Sequence, residues 1–249
     1  MRIAYFDCFS GISGDMVLGA LLHAGAPEAE WRESLSRLNV PGYSVTVASV
    51  VKEGISALDV HVELEEIDSG HGRHLSDIRE LLNSSGLPER VGLRALGAFT
   101  RIAEAEAKIH DMTPDTIHFH EVGAIDAIVD IAGAAIALDL LDVRQVYSSA
   151  LPLNGGWVEC AHGSIPLPAP AAMELLKGFR FQHDERRSEL ITPTGAALLA
   201  EFVERDPAGT AAAPPPMVVR SVGYGAGKRN TPIPNLLRVV IGEADDRQA

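Results

Sequence analysis

The sequence predicts an α+β fold (mixed α/β) in which short mixed sheets pack with helices. Two alternating runs meet around Gly54, as expected for an antiparallel pair of strands. A short apolar run opens the chain and passes directly into a helical pattern, and strand-like and helix-like runs then follow each other to the end. Hydrophobic residues make up 46% and charged residues 22% of the 249 residues, which is ordinary globular usage and excludes disorder as the overall state.

The first half of the chain supplies the clearest elements. The apolar run at residues 3–6 predicts a buried strand, and the apolar stripe that starts at Met16 predicts a helix ended by Gly25 and Pro27. The other elements predicted for this half are a short helix around Trp31, strands at 43–47 and 58–64, a helix from residue 75 and a long helix from residue 88 to about residue 110.

The second half alternates shorter elements with more turns. Residues 117–121 alternate like a short strand and run into a strongly apolar helix over residues 122–141. We place a boundary near residue 112, which gives one subdomain over residues 1–112 and a second over residues 113–249. The remaining predicted elements are strands at 146–153 and 157–160, helices at 171–177 and 195–202, and closing strands at 218–222 and 236–241.

Charge and composition limit the functional classes. Lys and Arg number 21 against 34 Asp and Glu, so the formal net charge is −13. This balance excludes a basic nucleic-acid binder. An acidic chain attracts cations, but a net charge of this size is also explained by solubility alone. Asp7 comes too early for a signal peptide, and the strongly apolar, low-charge stretch at residues 131–138 is far shorter than a membrane span. We therefore expect a cytoplasmic protein without membrane partners. Cys8 and Cys160 are expected to be free thiols. Cys160 is also a candidate as a soft metal ligand.

The loop Ser10-Gly11-Ile12-Ser13-Gly14-Asp15 joins the first strand to the first helix. Backbone N–H groups at such a helix start can hold an anion, and the two glycines allow a ligand to approach the backbone closely. Asp7 and Asp15 flank the loop, so a cation, or a phosphate bridged by a cation, suits it better than a bare phosphate. The spacing equally fits a tight turn in which Ser13 or Asp15 caps the helix.

A cluster of histidines and carboxylates is the stronger candidate site. His118 and His120 point to one face of a strand, about 6–7 Å apart along the chain, which suits two ligands of one metal ion. Glu121 adds a carboxylate, while Asp126 and Asp130 share one face of the apolar helix, where ionised carboxylates are costly unless a cation pairs with them. Imidazole and carboxylate ligands suit Ni, Zn, Co or Fe. The alternative is a structural histidine, with the aspartates paired to arginines elsewhere.

Other polar segments are weaker candidates. His71 and His74 lie three residues apart in a loop that we expect to be solvated, although such a pair can capture a metal ion transiently. His162 and the turn at residues 192–195 lie beside predicted strands, where turn features are more frequent than catalytic groups. The Gly-rich run at residues 223–228 is predicted to be a flexible segment that can contact a phosphate through Lys228, although Gly-rich strand ends are common.

Five motifs taken together resemble the LarC family, whose members insert nickel during synthesis of the nickel-pincer cofactor. The first two motifs are long and specific, and all five stand in family order along nearly the whole chain. The motifs are residues 7–16 (DCFSGISGDM), 118–131 (HFHEVGAIDAIVDI), 161–163 (AHG) with the prolines of 166–170, 189–196 (ELITPTGA) and 223–227 (GYGAG).

This resemblance implies an activity and its partners. Family members insert nickel into pyridinium-3,5-bisthiocarboxylic acid mononucleotide, in a CTP-dependent lyase reaction of the metal-chelatase type that uses Mn or Mg. The product serves lactate racemase-type apoenzymes. Family members are usually longer than this chain and carry a C-terminal domain to which CTP binding is attributed. We therefore expect this chain to supply the N-terminal portion, with the C-terminal LarC domain as its partner. Many relatives also carry a His-rich tract near residue 71, where this chain has only two histidines.

The candidate residues then take roles as hypotheses. His162 or Glu121 is the general base that removes the ring proton. Two alternatives to nickel insertion stay open, namely a non-catalytic nickel-binding metallochaperone half and a metal-dependent hydrolase. The hypothetical metal ligands are His118, His120, Glu121, Asp126, Asp130, Asp7 and Asp15. The residues assigned to the mononucleotide are Ser10, Gly11, Ser13, Gly14, Thr192 and Thr194.

Overall fold

The computed structural model describes residues 1–64, 73–119, 125–160, 163–229 and 231–245. Within these ranges the chain forms seven α-helices and ten strands in mixed sheets, which confirms the predicted α+β class. The strands are β1 (Arg2–Asp7), β2 (Tyr43–Lys52), β3 (Ile55–Leu64), β4 (Gln145–Ser148), β5 (Leu151–Leu153), β6 (Trp157–Cys160), β7 (Gly163–Pro166), β8 (Phe181–His183), β9 (Met217–Ala226) and β10 (Leu236–Ala244). The helices are α1 (Gly14–His23), α2 (Glu28–Ser36), α3 (Leu75–Ser84), α4 (Glu89–His110), α5 (Ile125–Leu140), α6 (Pro170–Leu175) and α7 (Pro193–Phe202), with a 3₁₀ turn at Pro114–Thr116.

Most elements lie where the sequence predicts them. The strand pair around Gly54, the long helix α4 and the closing strands β9 and β10 all form. The sequence does not predict β7 and β8, which are only four and three residues long. Within the strand expected at residues 117–121, Phe119 forms a single antiparallel bridge to Arg73, and residues 120 and 121 lie outside the described ranges.

Six strands form the main sheet, in the order β2-β3-β9-β10-β1-β4. The neighbours β1 and β4 run parallel, as do β3 and β9, and the other pairs are antiparallel. This sheet joins strands from residues 1–112 to strands from residues 113–249. The boundary near residue 112 therefore does not separate two sheets, and the division into subdomains stays a prediction.

Two strongly apolar helices, α1 and α5, build the core. They contact each other, and α1 also packs on β3 and β9, while α4 packs on both α5 and α7. Trp31 is fully buried, and its indole N–H donates to the carbonyl oxygen of Gly133 at 3.0 Å, which links α2 to α5. Across the described ranges, no helix is long and apolar enough to cross a membrane.

Helix α1 packs directly on the Gly-rich run at residues 223–227. The run is part of β9 and its end, which corrects the interpretation of this run as a flexible segment. A Cβ atom at Gly225 would overlap the carbonyl oxygen of Met16 and would lie 2.6 Å from the backbone nitrogen of Ala20. A Cβ atom at Gly223 would meet the next turn of α1, at Ala20 and Ala24. The two glycines are therefore required by the close approach of helix to sheet.

Substitution Gly225→Ala should force α1 away from the sheet. We expect the free energy of unfolding to fall by about 1–3 kcal/mol, the usual cost of overpacking a well-packed contact. Urea unfolding measures this loss. The control is Gly92→Ala in α4, where an added Cβ meets no atom within 4 Å and the free energy of unfolding should rise by about 0.5–1 kcal/mol. Equal stability of Gly225→Ala and wild type would contradict the backbone contact.

Candidate functional site

The candidate site lies where β1 ends and the chain turns into α1. The carboxyl ends of the parallel neighbours β1 and β4 meet here, which is the edge where open sheets usually bind ligands. The backbone N–H of Cys8 donates to the hydroxyl of Ser149 at 2.9 Å, so the residues that follow the two strands are joined. Cys8 itself is fully buried, and burial, followed by the nearby Asp7 charge, raises the pKa of its thiol. A thiol held in this way is a poor metal ligand.

The predicted Ser/Gly loop packs against the turn at residues 192–195. The N–H of Ile12 donates to the carbonyl of Leu190 at 2.8 Å, and the N–H of Thr192 donates back to Ile12 at 3.1 Å. Gly11 has a φ of +99°, and a Cβ atom there would lie 2.6 Å from the carbonyl carbon of Leu190. A Cβ atom at Gly195 would lie 2.5 Å from the carbonyl oxygen of Ile12. Two motifs that are remote in sequence thus form one structural unit.

The residues assigned to the mononucleotide have different surroundings. Ser10 is 1% exposed, so its hydroxyl lies inside the protein and not at the surface of the loop. Thr192 is the N-cap of α7, and its hydroxyl accepts the N–H of Gly195 at 3.1 Å. Thr194 is half-buried in the first turn of α7. Gly14 is buried at the first position of α1, and Ser13, its N-cap, is half-buried with its hydroxyl donating to Asp15.

Arg186 holds this loop in place, and sequence reasoning missed it. Its guanidinium donates to the hydroxyl of Ser10 at 2.7 Å and to the carbonyl oxygen of Phe9 at 3.3 Å. The same group pairs with Asp184 at 2.6 Å, and this hydrogen-bonded pair lowers the pKa of the Asp184 carboxyl. The Arg186 side chain is only 11% exposed. The surrounding polar run gave no sign that one of its arginines is buried.

Three of the predicted acidic ligands come together beside the loop. A Cβ atom at Gly14 would lie 2.6 Å from the carboxyl carbon of Asp130, so the start of α1 rests directly on this side chain. Burial raises the pKa of Asp130 well above its ordinary value, and the nearby charges of Asp15 and Asp126 raise it further, while Lys228 opposes them. We name Asp15, Asp126 and Asp130 the carboxylate cluster. Its repulsion would be relieved by a proton or by a cation.

The other acidic candidate, Asp7, has a different partner. Its carboxylate accepts from the Nε of Arg238 at 2.9 Å, across the β1–β10 pair. An arginine therefore already pairs with this predicted metal ligand. Asp15 also has a cationic neighbour, because the Lys228 ammonium lies 3.6 Å from its carboxylate.

The predicted histidine ligands are only partly described. His118 is exposed and its ring lies against His74. His120, Glu121 and His162 lie outside the described residues. Among the residues that the structure does describe, no group of three or more His, Cys, Asp or Glu side chains is placed to hold a metal ion. The proposed ligand set therefore remains a prediction.

Four of the five sequence motifs thus meet around the first turn of α1. Residues 7–16 contact Asp130 of the second motif, Leu190 of the fourth and Gly225 of the fifth. The start of a helix carries unpaired N–H groups and a partial positive charge, and Lys228 adds a cation, while the carboxylate cluster supplies negative charge. This mixture suits a ligand that contains both an anionic group and a divalent metal ion.

Comparison with known proteins decides the family. The model of the family described as nickel insertion protein matches residues 4–249. The chain belongs to the nickel insertion protein family. A putative nickel insertion protein of Roseiflexus castenholzii is 48% identical over 251 residues, which cover 99% of this chain and 61% of the relative. A second putative nickel insertion protein, from Dictyoglomus thermophilum, is 45% identical over 246 residues, or 98% of this chain and 61% of the relative.

A third relative carries a more specific name. The pyridinium-3,5-bisthiocarboxylic acid mononucleotide nickel insertion protein of Clostridium kluyveri is 44% identical over 256 residues, which cover 98% of this chain and 63% of the relative. The chain thus spans less than two thirds of the length of these relatives. No solved structure matches the chain.

Removal of the Arg186 side chain should release the Ser/Gly loop. For Arg186→Ala we expect a loss of about 3 kcal/mol in the free energy of unfolding, because Asp184 and the hydroxyl of Ser10 lose a nearly buried partner. The matched control is Arg187→Ala at the exposed neighbouring position, which should change stability by less than about 0.5 kcal/mol. Urea unfolding of the two variants compares them. Similar effects at both positions would contradict the role assigned to Arg186.

The raised pKa of Asp130 predicts a pH-dependent effect of Asp130→Asn in metal-free protein. The folded state holds the Asp130 proton more tightly than the unfolded state, so its contribution to stability is present at low pH and is lost as pH rises through the folded pKa. Relative to wild type, the variant should therefore gain stability between pH 4 and pH 8. Chemical unfolding across this range measures the difference, with the exposed Asp115→Asn as control. A difference that is constant with pH would contradict the burial of an ionisable Asp130.

Proposed function

We propose that this chain inserts nickel into pyridinium-3,5-bisthiocarboxylic acid mononucleotide, the compound that appears in the name of the C. kluyveri relative. The observation that carries the proposal is the convergence of four motifs at the start of α1, where the Ser/Gly loop rests on Asp130 and on the 190–195 turn. This arrangement supports a site in which the groups proposed for an anionic nucleotide lie beside those proposed for a metal ion. Nickel is the substrate metal of the reaction.

The loop and the carboxylate cluster take complementary roles in this proposal. Backbone N–H groups at the start of α1, with Ser13 and Lys228, bind the phosphate of the mononucleotide or a metal ion attached to it. Asp126 and Asp130, together with the predicted ligands His118, His120 and Glu121, hold nickel or orient its ligands. Their oxygen and nitrogen donors hold the ion less firmly than the deprotonated sulfurs of the substrate, so the metal passes to the thiocarboxylates.

Formation of the nickel–carbon bond needs a base. The C–H bond of the pyridinium ring breaks as the bond between nickel and carbon forms, the carbon keeps the electron pair, and nickel remains divalent. The proton goes to a general base, for which His162 and Glu121 are the proposed residues. Asp130 is a further candidate, because a carboxyl with a raised pKa accepts a proton more readily near neutral pH than an ordinary aspartate.

CTP and Mn or Mg complete the proposed reaction, and we assign no residue of this chain to CTP. A lactate racemase-type apoenzyme is the proposed acceptor of the product, and the cytoplasm is the proposed location. A nickel carrier without catalysis is the second candidate. It is favoured by the exposed ring of His118, which lies against the ring of His74.

The test follows the metal into the nucleotide. The purified chain is incubated with the mononucleotide, Ni²⁺, CTP and Mn²⁺, alone and with the part of the C. kluyveri relative that lies outside the match. Mass spectrometry then measures nickel in the nucleotide. We expect CTP-dependent insertion that falls at least tenfold in Asp130→Asn and is unchanged in Asp115→Asn. Nickel that stays bound to the chain in every mixture would favour the carrier.

A further inference from the structure

A pair of histidines lies outside the carboxylate cluster and the Ser/Gly loop. The imidazole rings of His74 and His118 face each other with centroids 3.9 Å apart and 49° between their planes. His118 is exposed and His74 is half-buried, so the pair lies at the protein surface. The sequence brings these histidines from two different segments, and only the fold places them together.

Buried neighbours fix the position of His118. Ile117 and Phe119 are 4% and 3% exposed, and the ring of Phe119 lies against Phe99 of α4. Successive side chains of an extended segment point to opposite sides, so His118 is directed outward between them. The N–H of Phe119 donates to the carbonyl of Arg73 at 3.1 Å, and this bridge brings His74 next to His118.

His74 is oriented by two further contacts. Its backbone N–H donates to the carboxylate of Asp77 at 2.8 Å, at the start of α3. Its ring Nδ1 lies 3.1 Å from the carbonyl oxygen of Ile117. In the tautomer with the proton on Nδ1, this nitrogen donates to the carbonyl oxygen, and the lone pair of the neutral ring lies on Nε2. Metal-binding histidines are commonly oriented in this manner, with the second ring nitrogen donating to a backbone carbonyl.

We propose that His74 and His118 form a surface site that captures the nickel ion before its transfer. The identity of the metal rests on the proposed function, whereas the ligand pair rests on the geometry. Two rings this close can each turn one nitrogen toward a common ion, with metal–nitrogen bonds of about 2.1 Å. Two imidazoles leave the remaining coordination positions to water, which keeps the ion exchangeable. The net charge of −13 favours the approach of a cation.

Two variants remove the nitrogen donors and preserve the packing. His74→Asn retains a residue that is favoured at the start of a helix, and His118→Phe retains a ring beside His74. Calorimetric titration of the full chain with Ni²⁺ alone should show at least tenfold weaker binding in each variant. The double variant should bind no more weakly than the weaker single variant, because both changes remove one site. His61→Ala, at an exposed position of β3, is the matched control and should bind as wild type does.

A spectroscopic measurement separates ligation from a structural role. With Cu²⁺ as the probe, the nitrogen couplings in the electron paramagnetic resonance spectrum should show one imidazole fewer in either single variant. Unchanged nickel affinity in both variants, or an unchanged number of coupled nitrogens, would overturn the proposal. Nickel capture as described without insertion would support the histidine pair and overturn the proposed function. Nickel insertion by the wild-type chain, together with wild-type nickel binding in both variants, would support the proposed function and overturn the histidine pair.

Discussion

Helix α1 lies backbone to backbone on β9, because Gly223 and Gly225 present no side chain to it. Gly19 continues the contact from the helix side, where a Cβ atom would lie 3.1 Å from the Cα of Gly225. Any larger residue at these positions would lift the helix from the sheet. This close packing therefore fixes the distance of α1 from the sheet and its direction. It also fixes the position of the first turn of α1 beside the carboxyl end of β1.

The same principle of close approach operates at the other end of the loop. Gly14 rests on the side chain of Asp130, and Gly11 rests on the backbone of Leu190. Arg186 then ties the hydroxyl of Ser10 to the neighbouring segment through its pair with Asp184. A half-buried carboxyl is thus held against a helix start by packing, and its raised pKa is the electrostatic consequence. A site that stores unfavourable charge in this way is prepared for a proton or a cation.

Much of the fold follows from local patterns in the sequence. The apolar stripes of α1, α4 and α5 and the alternation around Gly54 are properties of short segments, so they predict the elements correctly. The pairing of β1 with β10 and β4 depends on contacts between remote segments and has no local signal. The strands β7 and β8 are too short to produce a recognisable pattern.

The candidate site shows the same limit. The Ser/Gly loop and the spacing of Asp126 and Asp130 are visible in the sequence, and the structure brings Asp15 near Asp130. The glycines of residues 223–227 suggested a phosphate contact, whereas their role is to seat α1. Arg186 and the His74–His118 pair were missed because burial and ring contact arise only when distant segments meet.

Capture and insertion of a metal ion place opposite demands on its ligands. A carrier site must bind the ion strongly enough to collect it, yet must leave it exchangeable so that another ligand can take over. Two imidazoles with open coordination positions meet this demand, since deprotonated sulfurs are softer donors and compete well for nickel. The insertion step needs in addition a group that accepts a proton, and a carboxyl with a raised pKa beside a rigid helix start is suited to that task. In the proposed reaction, the surface pair of His74 and His118 therefore fits the capture of nickel, and the half-buried Asp130 fits the insertion step.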